Sequence, residues 1–113
     1  MISIWKYEVE PDIVNQIIEM QQGAQIISFG LDPSNKLCLW ALVDTEARIE
    51  QRLMACVGTG WDVAAMFGPN GDREVSFIGT ATHGAYVWHL FDLGASRAIN
   101  DVPTSSIEEA SRA

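Results

Sequence analysis

Apolar and polar side chains alternate along much of the chain, which is typical of β-strands that turn one face to a core. In the first segment, residues 2–10, Ile2 and Ile4 lie on one side and Trp5 and Tyr7 on the other. Segments with strand character, separated by turns rich in Gly and Pro, occupy residues 2–10, 24–31, 37–43, 52–57, 74–82 and 85–93.

Three parts of the chain add detail to this pattern. Residues 37–43 are apolar without interruption, which predicts a central strand covered on both faces, with Trp40 in the core. The last two strands are joined at His83-Gly84, which predicts a hairpin. Residues 61–72 are irregular and read as a long loop with room for one helical turn.

The segment between the first two strands allows two interpretations. Asp12 could cap a helix over residues 12–22, because apolar side chains recur four residues apart there. Alternatively, residues 16–20 form a strand that ends in a turn at Gln21-Gln22-Gly23. Local pattern alone leaves both readings open.

The length of the chain and the spacing of its strands predict one mainly β domain over residues 1–93. About six short strands with Gly and Pro turns favour a small antiparallel β-sandwich or a partly closed barrel. Residues 94–113 are rich in Ala and Ser, which predicts a C-terminal tail or a short helix.

The distance between the two cysteines depends on how the two central strands pair. If these strands form a hairpin with Asp44 opposite Glu50, Cys38 lies opposite Cys56. Their Cβ atoms would then be about 4.5–5.5 Å apart, somewhat more than a disulfide prefers. We therefore expect two neighbouring core thiols, reduced in the cytoplasm.

The amino-acid composition disfavours some classes of binding partner. The chain carries 7 Lys and Arg against 15 Asp and Glu, for a net charge of −8. Its basic residues are scattered singly, so direct nucleic-acid binding, which needs clustered cations, is disfavoured. No apolar stretch reaches the roughly 18 residues of a membrane span, and no signal peptide is expected at the N-terminus. An acidic surface suits a basic protein partner instead.

No pattern in the sequence predicts catalysis, a metal or a cofactor. His83 lies in a turn and His89 on a strand, and no nucleophile motif accompanies either of them. Gly58-Thr59-Gly60 lacks the lysine of a phosphate-binding loop and is better read as backbone freedom at a strand end. No His/Cys cluster has zinc spacing. We expect a non-enzymatic protein.

Two surfaces are candidates for partner binding. The loop over residues 61–72 carries aromatic and Met side chains of the kind that anchor interfaces, although Trp61 could instead fold back and cap the sandwich. Carboxylates at alternate positions after the first strand could face a basic partner or simply be solvated. The candidate partner-binding residues are Trp61, Asp62, Met66, Phe67, Glu8, Glu10 and Asp12.

Several short motifs occur in a characteristic order: IWKYE at residues 4–8, CLWALVD at 38–44, GTG at 58–60 and VWHLF at 87–91. In these the chain resembles an uncharacterised family of short proteins encoded by tailed bacteriophages and prophages. The relatives usually carry Pro at the position of Gln21, and the resemblance therefore implies a strand over residues 16–20.

The resemblance also has a limit. The relatives tend to have His-Pro after Gly60, where this chain has Trp61-Asp62, so no role of that histidine carries over. The resemblance implies a setting, the cytoplasm of a bacterial host, and no activity.

Our hypothesis is a non-enzymatic binding protein that contacts a host protein stoichiometrically, for example as an inhibitor of a host defence complex such as a CRISPR effector. One alternative is a protein that sequesters a nucleotide signal, which would need Arg48, Arg52 or Arg73 for the phosphate. Another is a minor virion or assembly protein. An exposed sheet edge would allow a homodimer.

Overall fold

Two antiparallel sheets pack face to face as a sandwich in the computed structural model, which describes residues 1–11 and 13–95. One sheet has the strand order β1-β4-β3 and the other β2-β5-β7-β6. The strands are β1 (Ile2–Glu8), β2 (Gln16–Gln21), β3 (Gln25–Leu31), β4 (Leu37–Asp44), β5 (Ile49–Gly58), β6 (Ser76–His83) and β7 (Tyr86–Ala95). The predicted mainly β sandwich is confirmed, with one strand more than the roughly six expected.

The ambiguous segment after β1 is a strand. β2 runs antiparallel to β5, with Ile18 opposite Arg52, so the helical interpretation of this segment was wrong. The turn that follows contains Gly23 with a φ of 78°, a conformation that a side chain disfavours. At the other end of the chain β7 continues to Ala95, and the predicted tail beyond it lies outside the described residues.

The predicted pairing of the two central strands was wrong. β4 pairs with β1 and β3, whereas β5 pairs with β2 and β7 in the other sheet. Cys38 therefore lies opposite Glu8 and Gly30, and Cys56 lies opposite Leu90. Consecutive strands can place their apolar faces on a common core either as neighbours in one sheet or from opposite sheets, and local pattern does not distinguish the two.

Both cysteines are buried, and neither forms a disulfide. Burial raises the pKa of the Cys38 thiol, which favours its protonated form. The expectation that both cysteines are buried is confirmed, but the expectation that they are cross-strand neighbours was wrong.

The main core lies between the two sheets. Full burial of each large apolar side chain there contributes roughly 1.5–3 kcal/mol. Its large side chains come mainly from the central strands of both sheets, with Met20 added by the edge strand β2, and include Leu39, Val43, Met54, Trp88 and Leu90.

The outer face of the three-stranded sheet is not covered within the described residues. Leu42 is 38% exposed and Trp40 is half-buried, so the expectation that β4 is covered on both faces, with Trp40 in the core, was wrong. β4 is central in hydrogen bonding, because β1 and β3 flank it, and one of its faces still meets solvent. Ile2 and Ile4 on β1 extend this apolar face, opposite Asp44 and Leu42.

The long loop after β5 folds back over the outer face of the four-stranded sheet. Its single turn of 3-10 helix, Ala64–Phe67, agrees with the predicted helical turn. Met66 is 1% exposed and packs in a second core cluster with Ala55, Val57 and Leu93. The loop is therefore anchored by apolar packing. Within residues 1–11 and 13–95, no helix is long and apolar enough to cross a membrane.

Candidate functional site

An open cleft of about 670 Å³ lies beside the hairpin between β6 and β7, where the chain segment after β1 approaches the end of β5. We call this feature the aromatic cleft. The side chains that define it are Pro11, Thr59, Trp61, His83, Tyr86 and Trp88.

Three aromatic rings give the cleft its shape. The ring centroids of Trp61 and Trp88 are 5.6 Å apart, with the ring planes at 89°. The centroids of Tyr86 and Trp88 are 5.9 Å apart at an interplanar angle of 34°. Trp88 is 8% exposed, Trp61 42% and Tyr86 67%, so the cleft has a buried floor and two accessible walls.

Gly58 at the end of β5 makes room for the Trp61 indole. A Cβ atom at this position would lie 2.8 Å from both Cε2 and Nε1 of Trp61, closer than real contacts allow. The glycine therefore lets the ring lie directly against the backbone. Gly60 has a φ of 87° and lets the chain turn back toward that position, as expected for a strand end.

His89 holds the start of the same turn. Its Nε2 lies 2.7 Å from Oγ1 of Thr59, and its Nδ1 lies 2.8 Å from Oγ1 of Thr80 on β6. A neutral imidazole offers one donor and one acceptor, so each hydroxyl can complement one ring nitrogen. The histidine thus ties Thr59, on the cleft wall, to the four-stranded sheet.

The family of the chain follows from a match to a protein-family model. The model of the family described as "Domain of unknown function (DUF7352)" matches residues 1–100. The chain belongs to this family. No curated protein and no solved structure matches it.

The DUF7352 fold places the predicted loop residues in different environments. Trp61 lies in the aromatic cleft, and Phe67 is 37% exposed on the loop surface. Asp62 accepts a hydrogen bond from the Ala64 backbone N–H at 3.0 Å, which starts the 3-10 turn. Met66 is buried, so its prediction as a partner contact is corrected: a side chain inside a core cluster packs the loop and does not meet a partner.

Glu8 and Glu10, the predicted acidic residues near the end of β1 that the structure describes, have different partners. Glu8 points to the outer side of β1, where its carboxylate lies 3.9 Å from the Lys36 ammonium. Glu10 is exposed and is fixed through its backbone, whose N–H donates to the Gln16 side chain at 3.0 Å. Asp12 lies outside the described residues.

Sequence reasoning missed part of the DUF7352 cleft. Tyr86 and Trp88 fall within the strand predicted over residues 85–93, and neither was predicted to line a site. What could not be predicted is that the Trp61 ring lies against Gly58 and contacts Trp88 on β7. A glycine at the end of an apolar strand, three residues before a tryptophan, is the signal that could have suggested such an approach.

Among the residues that the structure describes, no lysine, arginine or carboxylate lines the cleft. No group of three or more His, Cys, Asp or Glu that could hold a metal ion occurs in the part of the chain that the structure describes. The cleft can therefore offer aromatic faces, a hydroxyl and an imidazole. Its chemistry suits recognition of a side chain better than coordination of a metal or a phosphate.

Proposed function

We propose that this DUF7352 protein is a non-enzymatic binding protein that docks a protein partner at the aromatic cleft. The observation that carries the proposal is the pairing of an exposed Trp61 with a buried Trp88 in an open cleft. Tryptophan and tyrosine in a pocket are the side chains that most often dominate the binding energy of interfaces.

The anchoring of the loop supports a preorganised surface. Met66 is buried against β5, and Thr59 is held by His89, so the segment that carries Trp61 is fixed on both sides. A surface that is already ordered loses less conformational entropy on binding than a mobile one.

The positions of the arginines favour a protein partner over a nucleotide signal. Arg52 is already engaged in an internal hydrogen-bond network, since its guanidinium donates to Asp92 at 2.9 Å and to Glu50 at 3.0 Å. Arg73 donates to the Met66 carbonyl at 3.3 Å. Neither side chain lines the cleft, and Arg48 does not line it either. A phosphate would therefore meet no cationic side chain there.

The surroundings of His89 favour binding over catalysis. A histidine that activates a hydroxyl is normally oriented by a carboxylate, which stabilises the imidazolium as it forms. The second ring nitrogen of His89 faces the Thr80 hydroxyl, and Asp92 is engaged by Arg52. This arrangement orients Thr59 without a charge to drive proton transfer.

We further propose that the partner is a host protein met in the cytoplasm of an infected bacterium, and that the binding inhibits a host defence complex. This part rests on the resemblance of the chain to phage-encoded proteins and on its net charge of −8, which suits a basic partner surface.

Affinity capture from infected host lysate tests the proposal. We expect a partner that binds the natural protein and is lost with Trp61→Ala. Trp5→Ala is the matched control, because Trp5 is 39% exposed, close to the 42% of Trp61, but lies outside the cleft. The purified partner should bind in simple stoichiometry and keep its mass. A partner that is chemically modified, or one retained by Trp61→Ala, would contradict the proposal, as would recovery of the protein in purified virions.

We also propose that two copies pair through β1, the edge strand of the three-stranded sheet. Antiparallel pairing of two β1 strands about Tyr7 places Lys6 opposite the partner's Glu8, twice by symmetry. The contact would extend the apolar outer face formed by Ile4 and Leu42, which are 55% and 38% exposed.

Light scattering over a range of concentrations tests this pairing. We expect a dimer for the natural protein and a monomer for Glu8→Lys, which sets two ammonium groups against each other. Glu74→Lys makes the same charge change at an exposed position outside β1 and should remain dimeric. A natural protein that stays monomeric at every concentration would refute the contact.

A further inference from the structure

We infer that the aromatic cleft takes a cationic side chain, arginine or lysine, from the surface of the partner. The inference rests on the proposed function and names the kind of side chain that the cleft would recognise.

The ring geometry supports this assignment. The faces of aromatic rings carry negative electrostatic potential, and a cation within about 6 Å of a ring centroid is attracted to it. Trp61 stands at 89° to Trp88, and Tyr86 lies beside Trp88 at 34°, so the rings form a corner in which one group can meet more than one ring. Tryptophan has the strongest attraction for cations of the aromatic side chains.

The charges around the cleft support the same choice. Glu10 immediately precedes Pro11, and Asp62 immediately follows Trp61, so an exposed carboxylate adjoins two of the lining residues in sequence. Because no lysine or arginine of residues 1–11 and 13–95 lines the cleft, an incoming cation meets no like charge from this part of the chain. An anionic ligand would instead approach a chain of net charge −8.

The shape of the cleft also fits a side chain. A floor that is nearly buried and walls that are largely exposed allow a long aliphatic stem to lie on Trp88 while its charged end remains close to Tyr86 and to water. Lysine and arginine both have this construction, with an apolar stem and a charged tip.

Short peptides that carry a single arginine test the inference directly. A matched peptide with citrulline keeps the planar shape and the hydrogen-bonding groups but removes the charge, and adenosine monophosphate serves as an anionic aromatic probe. Binding is followed by the NMR signals of the indole N–H groups of Trp61 and Trp88. We expect the arginine peptide to bind at least about fivefold more tightly than the citrulline peptide, with affinity that falls as salt is added.

Trp61→Leu serves as the second variant, because it keeps apolar bulk on the loop and removes the ring. It should abolish the preference for arginine over citrulline, and far-UV circular dichroism checks that the sandwich is intact. Equal affinities for the two peptides, or tighter binding of adenosine monophosphate, would overturn the inference.

The two proposals can fail separately. If a captured protein depends on Trp61 but the arginine peptide shows no preference, the cleft docks a partner through other chemistry and only this inference falls. If no partner depends on Trp61, the proposed function falls, whatever the peptides show.

Discussion

Replacing Gly58 with alanine tests whether Trp61 lies against the end of β5. The added Cβ would lie 2.8 Å from Cε2 and Nε1 of the indole, whereas ordinary contacts begin at 3.4 Å. The ring must therefore withdraw by at least about 0.6 Å, which disturbs its edge contact with Trp88. Such aromatic pairs contribute about 0.5–1.5 kcal/mol beyond their buried area. Because Trp61 is 42% exposed, the ring can move outward, and we expect a loss of free energy of unfolding in that range.

Urea denaturation gives this free energy, and near-UV circular dichroism reports the environment of the two indoles. Gly30→Ala is the matched control, because Gly30 also lies within a strand and a Cβ there has nothing within 4 Å. The control should change the free energy of unfolding by less than about 0.5 kcal/mol and leave the aromatic signal intact. If Gly58→Ala behaves like the control in both measurements, Trp61 does not occupy the described position and the geometry of the cleft is wrong.

Three further predictions concern the scaffold. Tyr7→Phe should change the free energy of unfolding by less than about 1 kcal/mol, because the buried Tyr7 hydroxyl has no hydrogen bond of good geometry among the described residues and interacts weakly with the Gln21 backbone; a larger loss in urea denaturation would contradict this. Arg52→Ala should lower the free energy of unfolding by about 3–5 kcal/mol in the same assay, because the carboxylates of Glu50 and Asp92, which are 22% and 18% exposed, lose their cationic partner. Arg48→Ala on the surface is the control. Asp32→Asn should make the stability of the protein less dependent on pH in the acidic range. The Lys6 ammonium and two backbone N–H groups lower the pKa of Asp32 from 3.8 to about 2, so its contribution is complete above the unfolded value and is lost as pH falls through the folded one. Thermal unfolding measured between about pH 4 and pH 2 should therefore vary less in the variant, and an equal dependence would refute the role of this carboxylate.

The strands could be predicted from the sequence because their signals are local. Alternation placed the two faces of β1 correctly, and turn residues placed the hairpin between β6 and β7 at Gly84, which has a φ of 62°. The assignment of strands to sheets could not be predicted in the same way. β4 and β5 follow each other in the chain and share one core, yet they reach it from opposite sheets. Only contacts between distant residues decide this, as in the pairing of β5 with β7.

The candidate site shows the same division. Trp61 was singled out because it opens an irregular loop, and the structure places it in the aromatic cleft. Met66 was singled out for the same reason and proved to be buried, since a loop that crosses an apolar sheet face must bury something against it. Sequence could not say which of the two would be presented, because that depends on how the loop lies over Ala55 and Val57.

The two ends of this loop have separate roles, and the difference makes the function testable. Met66 packs in a core cluster, so a change there would alter stability and binding together. Trp61 lies against Gly58 and the edge of Trp88, is 42% exposed and belongs to neither core cluster, so its removal takes less from the core than removal of Met66 would. The exposed part of its ring is apolar area that a partner can bury. Loss of binding by a folded Trp61 variant can therefore be assigned to the cleft itself, which is the distinction on which the proposed function depends.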